Sequence, residues 1–109
     1  MRTLFMAGVM ALALMGPSLA ADEPSVVVTL SNHAFQPAEV VVPAGRTFTL
    51  VVRNQDRMVE KFVSTGLGVE KLLPGGEDVS LRLGPLKAGA YEFHGDLHSD
   101  TAKGRLVAR

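Results

Sequence analysis

The sequence predicts an all-β sandwich, on three observations. Alternation of period two recurs, with Phe48, Leu50 and Val52 on one face of one run and Val79, Leu81 and Leu83 on one face of another. Pro and Gly turn signals separate the runs at short intervals. No window after residue 20 carries the 3.6-residue apolar period of a helix. Seven to eight short strands in two layers, joined by antiparallel Greek-key connections, satisfy that pattern.

Residues 1–20 stand apart. Arg2 opens them, an apolar run covers residues 4–15, and Ser18-Leu19-Ala20 has the small-x-small form of a signal-peptidase site. The run is shorter than the ~20 apolar residues of a spanning helix. We therefore expect an exported protein that does not span the membrane after cleavage, with residues 21–109 as one domain. The first predicted strand is the Val-rich Ser25–Ser31, and residues 38–42 form a second, β-branched run. Pro43-Ala44-Gly45 turns the chain into a strand over residues 46–53. The polar Asn54-Gln55-Asp56 turn leads to residues 59–64, and a single helical turn is the most allowed between Ser64 and Glu70. Pro74-Gly75-Gly76 precedes Asp78–Leu83, and residues 91–94 and 105–108 form the last two strands.

Composition narrows the function classes. The 11 Lys+Arg include Arg2, so residues 21–109 keep ten against 11 Asp+Glu, a formal charge of −1. Nucleic acids and anionic membranes call for a basic excess that is missing here. The absence of Cys excludes thiol catalysis, iron–sulfur clusters and Cys zinc sites. No serine–histidine–acid pattern, phosphate-cradling glycine loop or HExxH motif occurs.

Several phrases in fixed order carry a resemblance. Phe35-Gln36-Pro37, the run Glu39–Val42, Pro43-Ala44-Gly45, Asn54-x-Asp56 and Gly89-x-Tyr91-x-Phe93-x-Gly95-x-x-His98 resemble the strand and loop signatures of cupredoxin-like domains, over nearly all of residues 21–109. In that family a blue-copper site uses two His, a Cys thiolate and a weak axial Met. His98 stands at the final histidine, Gly95 at the cysteine, and Glu60 at the first histidine, with no Met after His98. Glu60-Lys61-Phe62-Val63-Ser64, Glu70-Lys71, Gly75-Gly76 and Gly84-Pro85-Leu86 make the chain similar to a cysteine-free subgroup, the periplasmic cupredoxin component of bacterial ferrous-iron uptake systems. The resemblance implies a carboxylate–imidazole site for copper or iron. It also implies a membrane iron permease and a periplasmic iron-binding protein as partners, and a role in handling or oxidising iron.

Among the candidate ligands, Glu60 shares a face with Phe62 and should point inward. It is either a metal ligand or the partner of Lys61, Arg57 or Lys71, or a solvated side chain at a strand start. His98 lies in a loop past a strand end, where ligands are commonly delivered. Asp96 beside it offers oxygen, and Asp100 a turn cap. Met58 offers a thioether or apolar filling. His94 alternates outward, His33 sits in a distant turn, and Glu70 is by default paired at the surface with Lys71. Carboxylates stabilise Cu(II) over Cu(I), but they also stabilise Fe(III) over Fe(II), so binding and ferroxidase roles both stay open, with binding favoured. The alternative from another class is a metal-free sandwich docking on a membrane transport system, marked by an exposed apolar patch.

Overall fold

Period-two patterning becomes two packed sheets in the computed structural model, which describes residues 23–109; the predicted signal segment lies outside them. Nine strands form: β1 (Ser25–Ser31), β2 (Ala34–Gln36), β3 (Glu39–Val42), β4 (Phe48–Asn54), β5 (Glu60–Ser64), β6 (Val69–Leu73), β7 (Asp78–Leu83), β8 (Gly89–Gly95) and β9 (Lys103–Ala108). One sheet has the order β2-β1-β4-β7, the other β3-β9-β8-β5-β6. The fold is the expected β-sandwich, and the only helical element among the described residues is a 3-10 turn, Asp96–His98. It falls in the loop after β8 rather than between Ser64 and Glu70.

Two strands escaped the sequence reading. β2 spans three residues, too few for a pattern. β6 has no alternating face: Val69 is half-buried, Leu73 buried, and the three residues between them are exposed. It exists because β5 offers a free edge, pairing Glu60 with Leu73 and Ser64 with Val69. Glu70 therefore meets Lys61 across the strands at 3.4 Å, not its neighbour Lys71.

The antiparallel expectation also needs correcting. β1 pairs parallel to β4, and β3 parallel to β9. Parallel neighbours need a crossover of a dozen or more residues, commonly a helix. Here the opposite sheet supplies it: the chain leaves β1, runs through β3 in the other layer and returns as β4.

The core lies between the layers, and an aromatic trio sits beneath one end of it. Phe35, Phe62 and Phe93 are buried, with ring centroids 5.0–5.9 Å apart. Phe62 and Phe93 stack, and Phe35 meets both edge-on, the geometries their quadrupoles favour. Two residues from each phenylalanine, on Glu60, Gly95 and His33, the chain reaches the end of the sandwich. Period two thus carries two of these anchors to Glu60 and Gly95, and the turn before β2 carries the third to His33.

Candidate functional site

Glu60 is 1% exposed, and its carboxylate has a complete set of partners. Oε2 accepts the amide hydrogens of Leu97 at 2.7 Å and Lys61 at 2.9 Å. Oε1 lies 2.9 Å from Nδ1 of His98. A buried carboxylate without such donors would be strongly destabilising. An ionised carboxylate only accepts, so Nδ1 of His98 donates to it, and in the neutral ring Nε2 keeps its lone pair. The ion pairs considered for Glu60 with Lys61, Arg57 or Lys71 do not form; only the Lys61 backbone reaches it.

Gly95 explains how a glutamate fits there. A Cβ built at Gly95 would lie 2.6 Å from Cδ and 2.8 Å from Oε1 of Glu60, and 2.9 Å from Cβ of Ala102. The volume of any side chain at position 95 is occupied by the Glu60 carboxylate. Gly95 and Glu60 are thus sterically linked, and a bare backbone is required at 95.

His98 ends the 3-10 turn that follows β8. Its carbonyl accepts the amides of Ala102 at 2.9 Å and Thr101 at 3.2 Å, and the Gly95 amide reaches the Ala102 carbonyl at 2.9 Å. These bonds close the loop and present the imidazole, 25% exposed, above Glu60.

A second imidazole lies on the first. The rings of His33 and His98 stack with centroids 3.7 Å apart and planes 13° apart. His33 is carried by the two-residue turn Asn32-His33 between β1 and β2, with φ of 53° and 58°. Both positive values are what a tight hairpin turn demands, and Asn and His tolerate them better than most residues. Asp56 clamps that turn, taking the amides of Asn32 at 2.7 Å and His33 at 2.9 Å, with His33 Nδ1 3.5 Å away. Burial pushes the Asp56 carboxyl up, but the two amide bonds and the nearby imidazoles of His33 and His98 outweigh it, leaving the carboxyl below its usual range. Asn54, buried, fixes the same loop: Oδ1 accepts the Asp56 amide, and Nδ2 donates to the carbonyls of Met58 and Leu73, each at 2.9 Å.

Of the four residues singled out as ligands, the structure joins Glu60 and His98 alone. Asp96 turns to His94, 3.4 Å away, and both are half-exposed. Met58 is 53% exposed, and its carbonyl accepts from Asn54 Nδ2. Glu70 belongs to the Lys61 pair. His33 and Asp56, distant in sequence from His98, are brought to it by the β1–β2 hairpin. The cue for Asp56 was the Asn54-x-Asp56 spacing, legible as a turn but not as a clamp.

Whether this end suits a metal depends on the donors. A blue-copper centre does not fit, because no thiolate exists and the Glu60 carboxylate fills the space at Gly95. Among the described residues no group of three or more His, Cys, Asp and Glu is placed to hold an ion. What fits is a smaller demand: Nε2 of His98, oriented by a carboxylate on Nδ1, the arrangement common behind metal-bound histidines.

The comparisons agree with this architecture. The chain is 39% identical over 82 residues to an uncharacterized protein of Rickettsia prowazekii, covering 75% of this chain and spanning 66% of that protein. Its fold matches auracyanin A, a "blue" copper protein of Chloroflexus aurantiacus, with a TM-score of 0.66 and 18% identity over 78% of this chain and 98% of that one. It also matches amicyanin of Paracoccus versutus, TM-score 0.62 and 20% identity, over 83% and 88% of the two chains. The metal-binding domain of a Streptococcus pneumoniae Cu(I)-exporting P-type ATPase matches with a TM-score of 0.66 and 14% identity, over 78% and 84%. At these identities the structures speak to fold alone. The model of the cupredoxin-like domain matches residues 4–108, and with the two-sheet topology this places the chain in the cupredoxin-like domain family.

Proposed function

We propose that this chain is an exported, periplasmic cupredoxin-like protein that binds Cu(II) or iron through His98, with Glu60 behind it, in ferrous-iron uptake. The observation that carries the reading is the 2.9 Å contact between Glu60 Oε1 and His98 Nδ1 at the loop end of the sandwich. It leaves Nε2 as the metal-facing nitrogen and fixes the orientation of the ring. Imidazole with carboxylate suits Cu(II) and iron, and the fold neighbours include a blue copper protein and a domain of a Cu(I)-exporting ATPase.

A bound ion of either kind would supply Lewis acidity and one-electron redox capacity. The protein's own part is to orient the imidazole, exclude solvent from one side and leave coordination positions open on the other. Such an open, low-denticity site suits binding and hand-over better than a ferroxidase, with an iron permease and a periplasmic iron-binding protein as the natural recipients.

A metal-free docking subunit is the second reading, favoured by two observations. The Glu60 carboxylate is already satisfied without an ion, and Met58, Val59 and Leu97 are 42–53% exposed. Calorimetric titration with Cu(II), and anaerobically with Fe(II), separates the two. We expect stoichiometric binding by the wild type, lost in His98→Ala and weakened about 10–100-fold in Glu60→Gln. Equal, weak binding by all three would end the metal proposal and leave docking.

A further inference from the structure

We infer that His33, held by Asp56, is a positioning residue that locks the His98 imidazole in one orientation and one tautomer. Each of the two stacked imidazoles has its own carboxylate: Glu60 at 2.9 Å from Nδ1 of His98, and Asp56 at 3.5 Å from Nδ1 of His33. The hairpin supplies the second ring at a backbone cost. Two consecutive non-glycine residues at positive φ are disfavoured, and the structure secures them with two amide bonds to Asp56 and one from Thr101 Oγ1 to the His33 carbonyl. These bonds place a flat ring 3.7 Å from the face of His98.

The geometry also says what His33 is not. In-plane lone pairs of rings only 13° from parallel do not converge, so one ion cannot lie about 2 Å from a nitrogen of each ring and in both ring planes. His33 thus acts on His98 by contact. A ring flip of His98 about its Cβ–Cγ bond would break the Glu60 bond and sweep the imidazole through the space His33 occupies. With His33 in place, Nδ1 stays on Glu60 and Nε2 stays outward.

The metal arm of the test rests on the proposed function, whereas the tautomer arm stands without any metal. The variants are His33→Asn, which keeps a residue tolerant of positive φ but removes the ring, and His33→Phe, which keeps a ring but removes the nitrogens. Two-bond 1H–15N correlation spectra of the metal-free protein near pH 8, where an ordinary imidazole is neutral, report the tautomer of His98. We expect a single Nδ1–H form in the wild type and His33→Phe, and a mixture in His33→Asn. Cu(II) affinity should follow, falling about 10-fold or more in His33→Asn and recovering in His33→Phe. A pure Nδ1–H tautomer in folded His33→Asn would overturn the inference. So would loss of Cu(II) binding in His33→Phe with the tautomer intact, since His33 would then be a ligand. If no variant binds Cu(II), the proposed function fails, and the tautomers alone decide the role of His33.

Discussion

A single carboxylate organises the loop end. Because Oε2 of Glu60 takes two backbone amides, a glutamine there must set its oxygen toward Leu97 and Lys61 and its NH2 toward His98. Glu60→Gln should therefore reverse the His98 tautomer, moving the hydrogen to Nε2. It should cost about 1–3 kcal/mol in denaturant unfolding, since charge-assisted bonds become neutral ones. Finding the Nδ1–H form retained in the 15N spectrum would show that Glu60 does not set the tautomer. The partner change is Gly95→Ala, whose methyl enters space held by Glu60 Cδ and Oε1. Overpacking of this kind costs about 1–3 kcal/mol. Shortening Glu60 to Ala in the same chain should recover part of that loss, so the double-mutant cycle should show favourable coupling. Additivity of the two changes would refute the steric link.

At the scale of elements, the β1–β2 hairpin depends on a loop from elsewhere. Asp56 holds the Asn32-His33 turn through two amides, and Asn54 holds Asp56. The folded Asp56 carboxyl titrates below its unfolded value of about 3.9, so its contribution is complete above that pH and is lost as pH falls through the folded value. Asp56→Asn should cost about 1–2 kcal/mol at pH 7. The gap between wild type and variant should close as pH falls below about 4, in urea midpoints measured across pH. A gap that persists at pH 2 would mean that the side chain acts by shape rather than charge. Fast amide exchange at Asn32 and His33 in the variant would locate the loss to the turn.

The whole molecule stands on its apolar layers, with the candidate site at one end. Phe35, Phe62 and Phe93 bury their rings between the sheets, and Leu30, Leu50, Leu73 and Leu106 complete the core. Phe62→Ala should cost about 3–5 kcal/mol and loosen the Glu60 strand with it. Glu60 has its donors without an ion, so the apolar layers should form the scaffold unaided by metal. The metal-stripped protein should unfold in one cooperative transition, and a chelator should leave its Tm unchanged in metal-free buffer. A non-cooperative melt of the stripped protein would contradict that expectation.

Much of this was readable from residue order. Alternation in Asp78–Leu83 identified β7 residue for residue, and the shared face of Glu60 and Phe62 put the carboxylate inside. The signature around Gly95 and His98 marked the loop end as the place for chemistry. Period two is local, so it survives without knowledge of partners. What it does not carry is who lies alongside whom. β6 has no pattern of its own and exists as an edge pairing. The parallel pairs β1–β4 and β3–β9 arise because the chain changes sheets. Glu70 took a cross-strand partner, Lys61, over its neighbour Lys71, and Asp96 turned to His94 rather than His98. His33 and Asp56 join His98 only when the hairpin folds over the end of the sandwich. The sequence by itself determined the layers, the strand faces and the two residues that meet at 2.9 Å. The tertiary structure alone decided that a stacked imidazole and a second carboxylate support them, because contacts between residues 65 positions apart follow from sheet packing rather than from any local period.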